Sequence, residues 1–423
     1  MKIVERTGVG DYPIDHNAGE RMVRLVTTHT TPERDTIEIG VLTDVPPGLP
    51  QFPLIQTLRP RMAPVRPQEG WFTACLVIPT GIGCEIGGHA GDANPVARML
   101  AEVCDNLILH PNVVNASDLN EMPTNSMYVE GSTLDRFLHG MVGLAPVTAN
   151  RIMVLIDAHD DGELVDKTIN MVQAARAHWG MNCVGTHIMD DPRLVMKTSY
   201  SESGRAVGEI SGLESVVDLM KGWAGVYDAV AIASPITTPP GTTQEYYAAG
   251  GGIINPWGGV ESMLTHALSL MFNVPVAHSP MLENNDVLVT GLVDPRMAAE
   301  DVSITFFHSV LKGLHRSPRI VPPNEIEGEV YGAEDVDAVV IPDGCLGLSV
   351  QAARDQGIPV IAVRENKNLM RNDLTLLDWQ PGKFHQVNTY MEAAGLLLAM
   401  KAGIDPVSLK RPLLAGNGAV VTA

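Results

Sequence analysis

From Phe72 onward the chain repeats one pattern: a short apolar run, a polar loop, then a longer helical stretch. Residues 73–78, 107–109, 151–156, 182–188, 229–233, 274–278, 338–341 and 359–363 read as strands rich in Val, Ile, Leu and Ala. Residues 95–104, 163–178, 212–221, 259–272, 295–314, 348–356 and 388–402 read as helices. Such alternation predicts an α/β fold of mostly parallel sheets with helices on both faces, because parallel neighbours need a crossover that a helix supplies. Ahead of it, 22–28 and 36–42 are β-branched runs, and seven prolines fall between Pro46 and Pro67. A small N-terminal β and proline-rich appendage is expected there. The chain then divides into an N-terminal segment 1–70, an α/β lobe 71–210 carrying a Gly-rich loop, and a second α/β lobe 211–423. The proline-rich arm has little core of its own and could wrap a second copy, making a homo-oligomer.

Charge narrows the partners. The 49 acidic side chains outnumber the 29 basic ones for a net charge of −20, while only 18 % of residues are charged, so the acidity is a shortage of Lys and Arg in a folded protein. A surface of that sign repels phosphate backbones, which argues against nucleic acid and anionic membrane as partners and leaves a small molecule. The first eleven residues mix Lys2, Glu5, Arg6 and Asp11, unlike a signal peptide, and no uncharged apolar run approaches the roughly eighteen residues that span a bilayer. Five cysteines without a Cys-x-x-Cys pair argue against a disulfide scaffold or zinc ribbon, and a cytoplasmic location is expected.

In parallel sheets ligands gather at the carboxyl ends of strands, so the loops after strands carry the search. The densest is 81–95, GIGCEIGGHAGDANP, where clustered glycines let backbone amides face inward and Asn94-Pro95 reads as an N-cap and first helical residue. Thr80, Gly87, Gly88 and Asn94 are therefore candidate substrate-binding residues. The spacing matches neither GxxxxGK[ST] nor GxGxxG, and a tight structural loop would look similar. The next loop, HPNVVNASDLNE over 110–121, supplies His110, Asn112 and Asn115 to orient a ligand and Asp118 as a base; an asparagine-rich turn bracing its own backbone is the other reading. Arg364, after the strand 359–363, could clamp a carboxylate. The acidic run at 157–161 reads as the N-cap of the helix that follows.

One echo stands out: Val77-Ile78-Pro79-Thr80-Gly81-Ile82-Gly83-Cys84 resembles Val340-Ile341-Pro342-Asp343-Gly344-Cys345. It allows two pseudo-symmetric α/β lobes, and it places Cys84 and Cys345 at matched positions before helices, where a thiol can act as nucleophile or proton carrier. His89, five residues beyond Cys84, could serve as its base. His89, Asp92, His110, Asp118, His278 and Glu283 are potential metal donors, but they form no HxxxH or HxH pair, so no metal ligand is assigned.

The run PTGIGCEIGGHAGDANP, followed by HPNVVNASDLNEMP and VEGS, resembles a bacterial family found in cyanobacteria, the domain of unknown function numbered 3326. The resemblance is specific over 78–138, extends plausibly to the C-terminus, and transfers no catalytic role. From the loops, the expected function is an enzyme acting on a small polar metabolite bearing a carboxylate or amide, by cysteine-dependent hydrolysis or isomerisation. Cys84, Cys345, His89 and Asp118 would carry the reaction, with no cofactor required. Metal-assisted hydrolysis or lysis, a nucleotide- or cofactor-dependent enzyme using 81–95, and a non-catalytic small-molecule-binding protein are the alternatives.

Overall fold

A computed structural model describes residues 1–9, 19–46, 49, 71–115, 122–189, 193–282, 291–302 and 306–412. Most of the proline-rich arm, Asp118 and Glu283 lie outside the described residues. The α/β expectation holds: among the described residues there are two parallel sheets, a six-stranded antiparallel one and an antiparallel pair of Gly143–Ala145 with Arg319–Val321.

The first parallel sheet has six strands in the order Phe384–Val387, Val360–Val363, Ala338–Pro342, Thr73–Leu76, Asn106–Leu109, Ser126–Tyr128, and every neighbouring pair is parallel. Its four central strands are almost wholly buried on both faces, which is why they read as apolar runs. Along Thr73–Leu76, Ala74 and Leu76 face one core, and Cys75 faces the other with Ile108 and Val339. From the centre the chain winds outward twice, once through Asn106–Leu109 and once through Val360–Val363. The reversal falls between Thr73–Leu76 and Ala338–Pro342, the kind of switch point at which following loops part and leave a crevice. The echoed segments leave these two adjacent central strands.

A second parallel sheet runs Asn182–Met189, Arg151–Asp157, Ala229–Pro235, Val276–Met281. Helices Asn94–Val103, Gly162–Trp179 and Phe307–His315 share a core with both sheets, through residues such as Leu100, Val172 and Leu311. Helix Gly162–Trp179 begins as the acidic run suggested, with Asp161 accepting from the Glu163 amide. The expected helix 295–314 is described as two, Ala298–Val302 and Phe307–His315.

The N-terminal strands find their partners far along the chain. Val195–Tyr200, Ala206–Ser211, Lys2–Val9, Thr36–Thr43, Arg21–His29 and Leu346–Gly347 form an antiparallel sheet. It shares a core with the second parallel sheet across helix Gly258–Phe272. A buried ion network fixes that helix: Arg24 bonds Glu5 at 3.0 Å, Arg205 bonds Glu5 at 3.2 Å and Glu38 at 2.6 Å, and Arg24 also donates to the Gly259 carbonyl and Ser262 Oγ.

Candidate functional site

The glycine density of 81–95 has a backbone cause. Gly81, Gly83, Gly87 and Gly91 all take positive φ, and a Cβ on Gly87 would lie 2.6 Å from Ile78. The loop is braced by its own polar groups: Asp92 accepts from the Gly87 and His89 amides, and Asn112 donates to the Ile78 and Gly87 carbonyls at 3.1 and 2.6 Å. Burial pushes the Asp92 carboxyl up to about 7 despite those amides. Asn94 is not the N-cap. Ala93 holds that position, and Asn94, as the first helical residue, turns inward to the Val114 carbonyl.

These loops open onto a cavity of about 150 Å³. Thr80, Gly88, His110, Asn112 and Asn115 line it from the first sheet, whereas Gly87 and Asn94 stand behind it. Arg364 is exposed, bonds Gln386, and does not reach it. The opposite wall comes from residues that the sequence reading did not single out. Helix Gly258–Phe272 contributes Glu261, Ser262, Thr265 and His266, a polar stripe on a helix otherwise buried. Strand Ser126–Tyr128 leads into Glu130 and Gly131.

His110 and His266 converge on Gly131. A Cβ at that glycine would lie 2.6 Å from Nε2 of His266 and 3.1 Å from Nε2 of His110. Glu130 caps helix Gly131–Leu138, accepting from the Ser132 and Thr133 amides and both their hydroxyls. Burial raises its pKa, but His266 and these donors outweigh that and hold the carboxyl below its ordinary value. His266 Nε2 stands 3.1 Å from this carboxylate, and its Nδ1 is 3.2 Å from the Val23 carbonyl. Both ring nitrogens face oxygen acceptors, so only the protonated ring satisfies both. Burial lowers the pKa of this imidazole and Glu130 opposes it. At His110 the opposing groups count for less: burial, then the neighbouring His266, lower it to about 4 against Glu130 and the Ile78 backbone, and its Nδ1 makes no hydrogen bond. Two adjacent imidazoles thus have different partners, although burial lowers the pKa of both.

Two further networks surround the cavity. His278 bonds Glu261 through Nδ1 at 3.0 Å and Ser234 through Nε2 at 2.9 Å. These distances suit a Ser-His-acid triad, but Ser234 is fully buried and does not line the cavity, so the contacts orient Glu261. His89 bonds the Tyr246 hydroxyl at 2.7 Å, and that hydroxyl donates to Glu300 at 2.9 Å. Burial pushes Glu300 up to about 7. His89 is thereby engaged on the Tyr246 side of the loop.

Cys84 and Cys345 do meet, across the switch point. Contact with Cys345, then burial, push the Cys84 thiol well above its ordinary value, and Asp92 and Glu85 add to this. Cys84 lines neither main cavity; Cys345 lines a second one of about 100 Å³ behind the histidines. Among the described residues no group of three or more His, Cys, Asp or Glu is placed to hold a metal ion.

Comparison with known proteins adds kinship. The family described as a protein of unknown function (DUF3326) matches residues 73–410. An uncharacterized lipoprotein of Synechococcus sp. is 38 % identical over 345 residues, covering 80 % of this chain and 93 % of that protein. No solved structure matches. The relative's name overturns the cytoplasmic location expected from cysteine usage and the first eleven residues. Among the described residues no helix is long and apolar enough to cross a membrane.

Proposed function

Because the chain belongs to the DUF3326 family, whose description names no activity, we propose a function from the cavity itself: an acid–base enzyme acting on a small polar metabolite. The observation that carries it is the convergence of His110 and His266 over Gly131, one imidazole neutral and the other paired with a buried carboxylate. His110 takes a proton from the substrate, and His266, steadied by Glu130, supplies one to the developing negative charge. Asn115, Asn255, Ser262 and Thr265 offer neutral hydrogen bonds to the bound molecule. No Lys or Arg is among the described residues lining this cavity, which favours an amide or hydroxyl head over a carboxylate. A volume near 150 Å³ suits a compound of roughly benzene size. The relative's lipoprotein name supports an envelope setting for this reaction.

The test is incubation with pooled small amides, hydroxy acids and amino acids in deuterated water, read by NMR for conversion or deuterium uptake. Wild-type protein should convert or exchange at least one compound, with a loss of a hundredfold or more in His110→Gln and His266→Gln, in line with general acid–base contributions of about 10²–10⁴. Turnover that survives both substitutions, or none in the wild type, ends the reading. A thiol-dependent hydrolysis or isomerisation is the second reading. It is favoured by the contact of Cys84 with Cys345 and by the position of Cys345 on the second cavity.

A further inference from the structure

Behind the polar cavity lies a second one, of about 100 Å³, and the two share a wall made by Thr80, His110, Gly131, Ser262 and His266. Their linings differ in kind. The first mixes Asn, Ser, Thr, His and Glu side chains with apolar ones such as Val276, Phe306 and Val310, whereas the second is dominated by Leu25, Leu134, Ile341, Leu348, Val350 and Met370. The charged groups at the edge of the second chamber are already engaged: Arg24 and Arg205 with Glu5 and Glu38, and Asp135 with Ser349 at 2.5 Å. At Gly131 the shared wall is closed, since even a Cβ there would lie 2.6 and 3.1 Å from the two Nε2 atoms.

We infer that the ligand of this site is bipartite, with a polar amide or hydroxyl head in the first chamber and a short unbranched or branched alkyl group in the second. This rests on the acid–base reading and specifies its substrate class: the bond joining head to tail passes the shared wall beside Thr80 and Ser262, which line both chambers. An apolar space of this size has no use for a polar ligand and stays dry when empty, so filling it with methylenes is favourable. By proportion to a benzene-sized cavity of about 150 Å³, the second chamber takes roughly four carbons.

The experiment is a titration of the full chain with straight-chain primary amides from acetamide to octanamide, and with the matching primary alcohols, read by ligand-observed NMR. Affinity in at least one series should rise about fourfold per methylene until roughly four tail carbons are in place, then stop or fall. Val350→Phe should flatten that rise. Should that variant not fold, nuclear Overhauser contacts from the alkyl chain to methyls of Leu134, Ile341 and Val350 in the wild type provide the same check. Absence of binding in both series, a flat series, or a rise that continues to octanamide overturns the proposal. The titration reads binding alone, so its failure leaves the deuterium experiment able to succeed, and the converse holds.

Discussion

Two pairs of reactive side chains flank the Gly-rich loop, and their surroundings set them apart. Cys84 and Cys345 meet at the switch point, each about 3 % exposed and packed in a core with Met370 and Tyr390. The acidic neighbours of Cys84, Asp92 and Glu85, oppose its ionisation. His110 and His266 meet at a cavity wall, where Glu130 favours the charged form of one ring and burial enforces the neutral form of the other. Convergence at a strand end is common to both pairs. What separates them is a partner of opposite sign, which decides whether a proton can be moved at neutral pH.

The sharpest way to break this contrast is to remove the carboxylate. Glu130→Ala leaves His266 without its ion partner and the first turn of helix Gly131–Leu138 without its cap. It should cost about 3–5 kcal/mol in urea unfolding, and Glu130→Gln clearly less. A wild-type midpoint for the alanine variant would mean that the pair does not hold the wall together.

Next in size is a pH effect specific to His110. In the fold this imidazole titrates near pH 4, and in the unfolded chain near 6.5, so between those values the unfolded state binds more protons. Its contribution is present above pH 6.5 and is lost as pH falls toward 4, over a range of roughly 3 kcal/mol. Glu300 and Asp92, both raised to about 7, act oppositely: their folded forms keep protons that the unfolded chain releases, so they favour the fold at low pH and lose that contribution as pH rises through 7. The readout is therefore the difference between wild type and His110→Gln, which should change between pH 4 and 7 and be flat above it. A constant difference would place His110 in water.

How much of this could be read in the sequence depends on how far apart the contributors lie. The central parallel strands were legible because they are buried on both faces and few charges interrupt them, whereas the edge strands Ser126–Tyr128 and Phe384–Val387, short or partly exposed, were not. Strand Lys2–Val9 was not, because Glu5 and Arg6 break its apolar pattern; in the fold Glu5 is paired with Arg24 and Arg205 from distant segments. The hairpin of Val195–Tyr200 and Ala206–Ser211 was missed too, since its neighbour is the N-terminus. On the site, His110, Thr80, Gly88, Asn112 and Asn115 were found from loops after strands. His266 was overlooked as one residue of a buried helix, although Glu261, Ser262, Thr265 and His266 recur at the spacing of a single helical stripe. Glu130 had a local signal as well, a carboxylate ahead of Gly-Ser-Thr at the start of an amphipathic stretch.

A smaller perturbation reaches both imidazoles at once. Gly131→Ala introduces a methyl within 2.6 Å of one Nε2 and 3.1 Å of the other, so the rings must separate. The expected cost is about 1–3 kcal/mol, typical of overpacking, with a change in the imidazole nitrogen resonances of both residues. Unmoved resonances would show that the two rings do not share the position over this glycine.

The smallest effect is expected at the thiols, and it is the one that tests the contrast from the other side. Cys84→Ala and Cys345→Ala each delete one buried sulfur, which should cost roughly 1–2 kcal/mol by thermal or urea unfolding. Because the two thiols touch, the double variant should lose less than the two single losses added together. Deuterium uptake and amide binding should stay within about twofold of wild type, since Cys84 lines neither chamber and Cys345 adds only one edge of the second. If Cys345→Ala instead abolishes conversion while the chain keeps its fold and its His110-dependent pH profile, the proton carrier is the thiol. The imidazoles would then be the groups that only shape the wall.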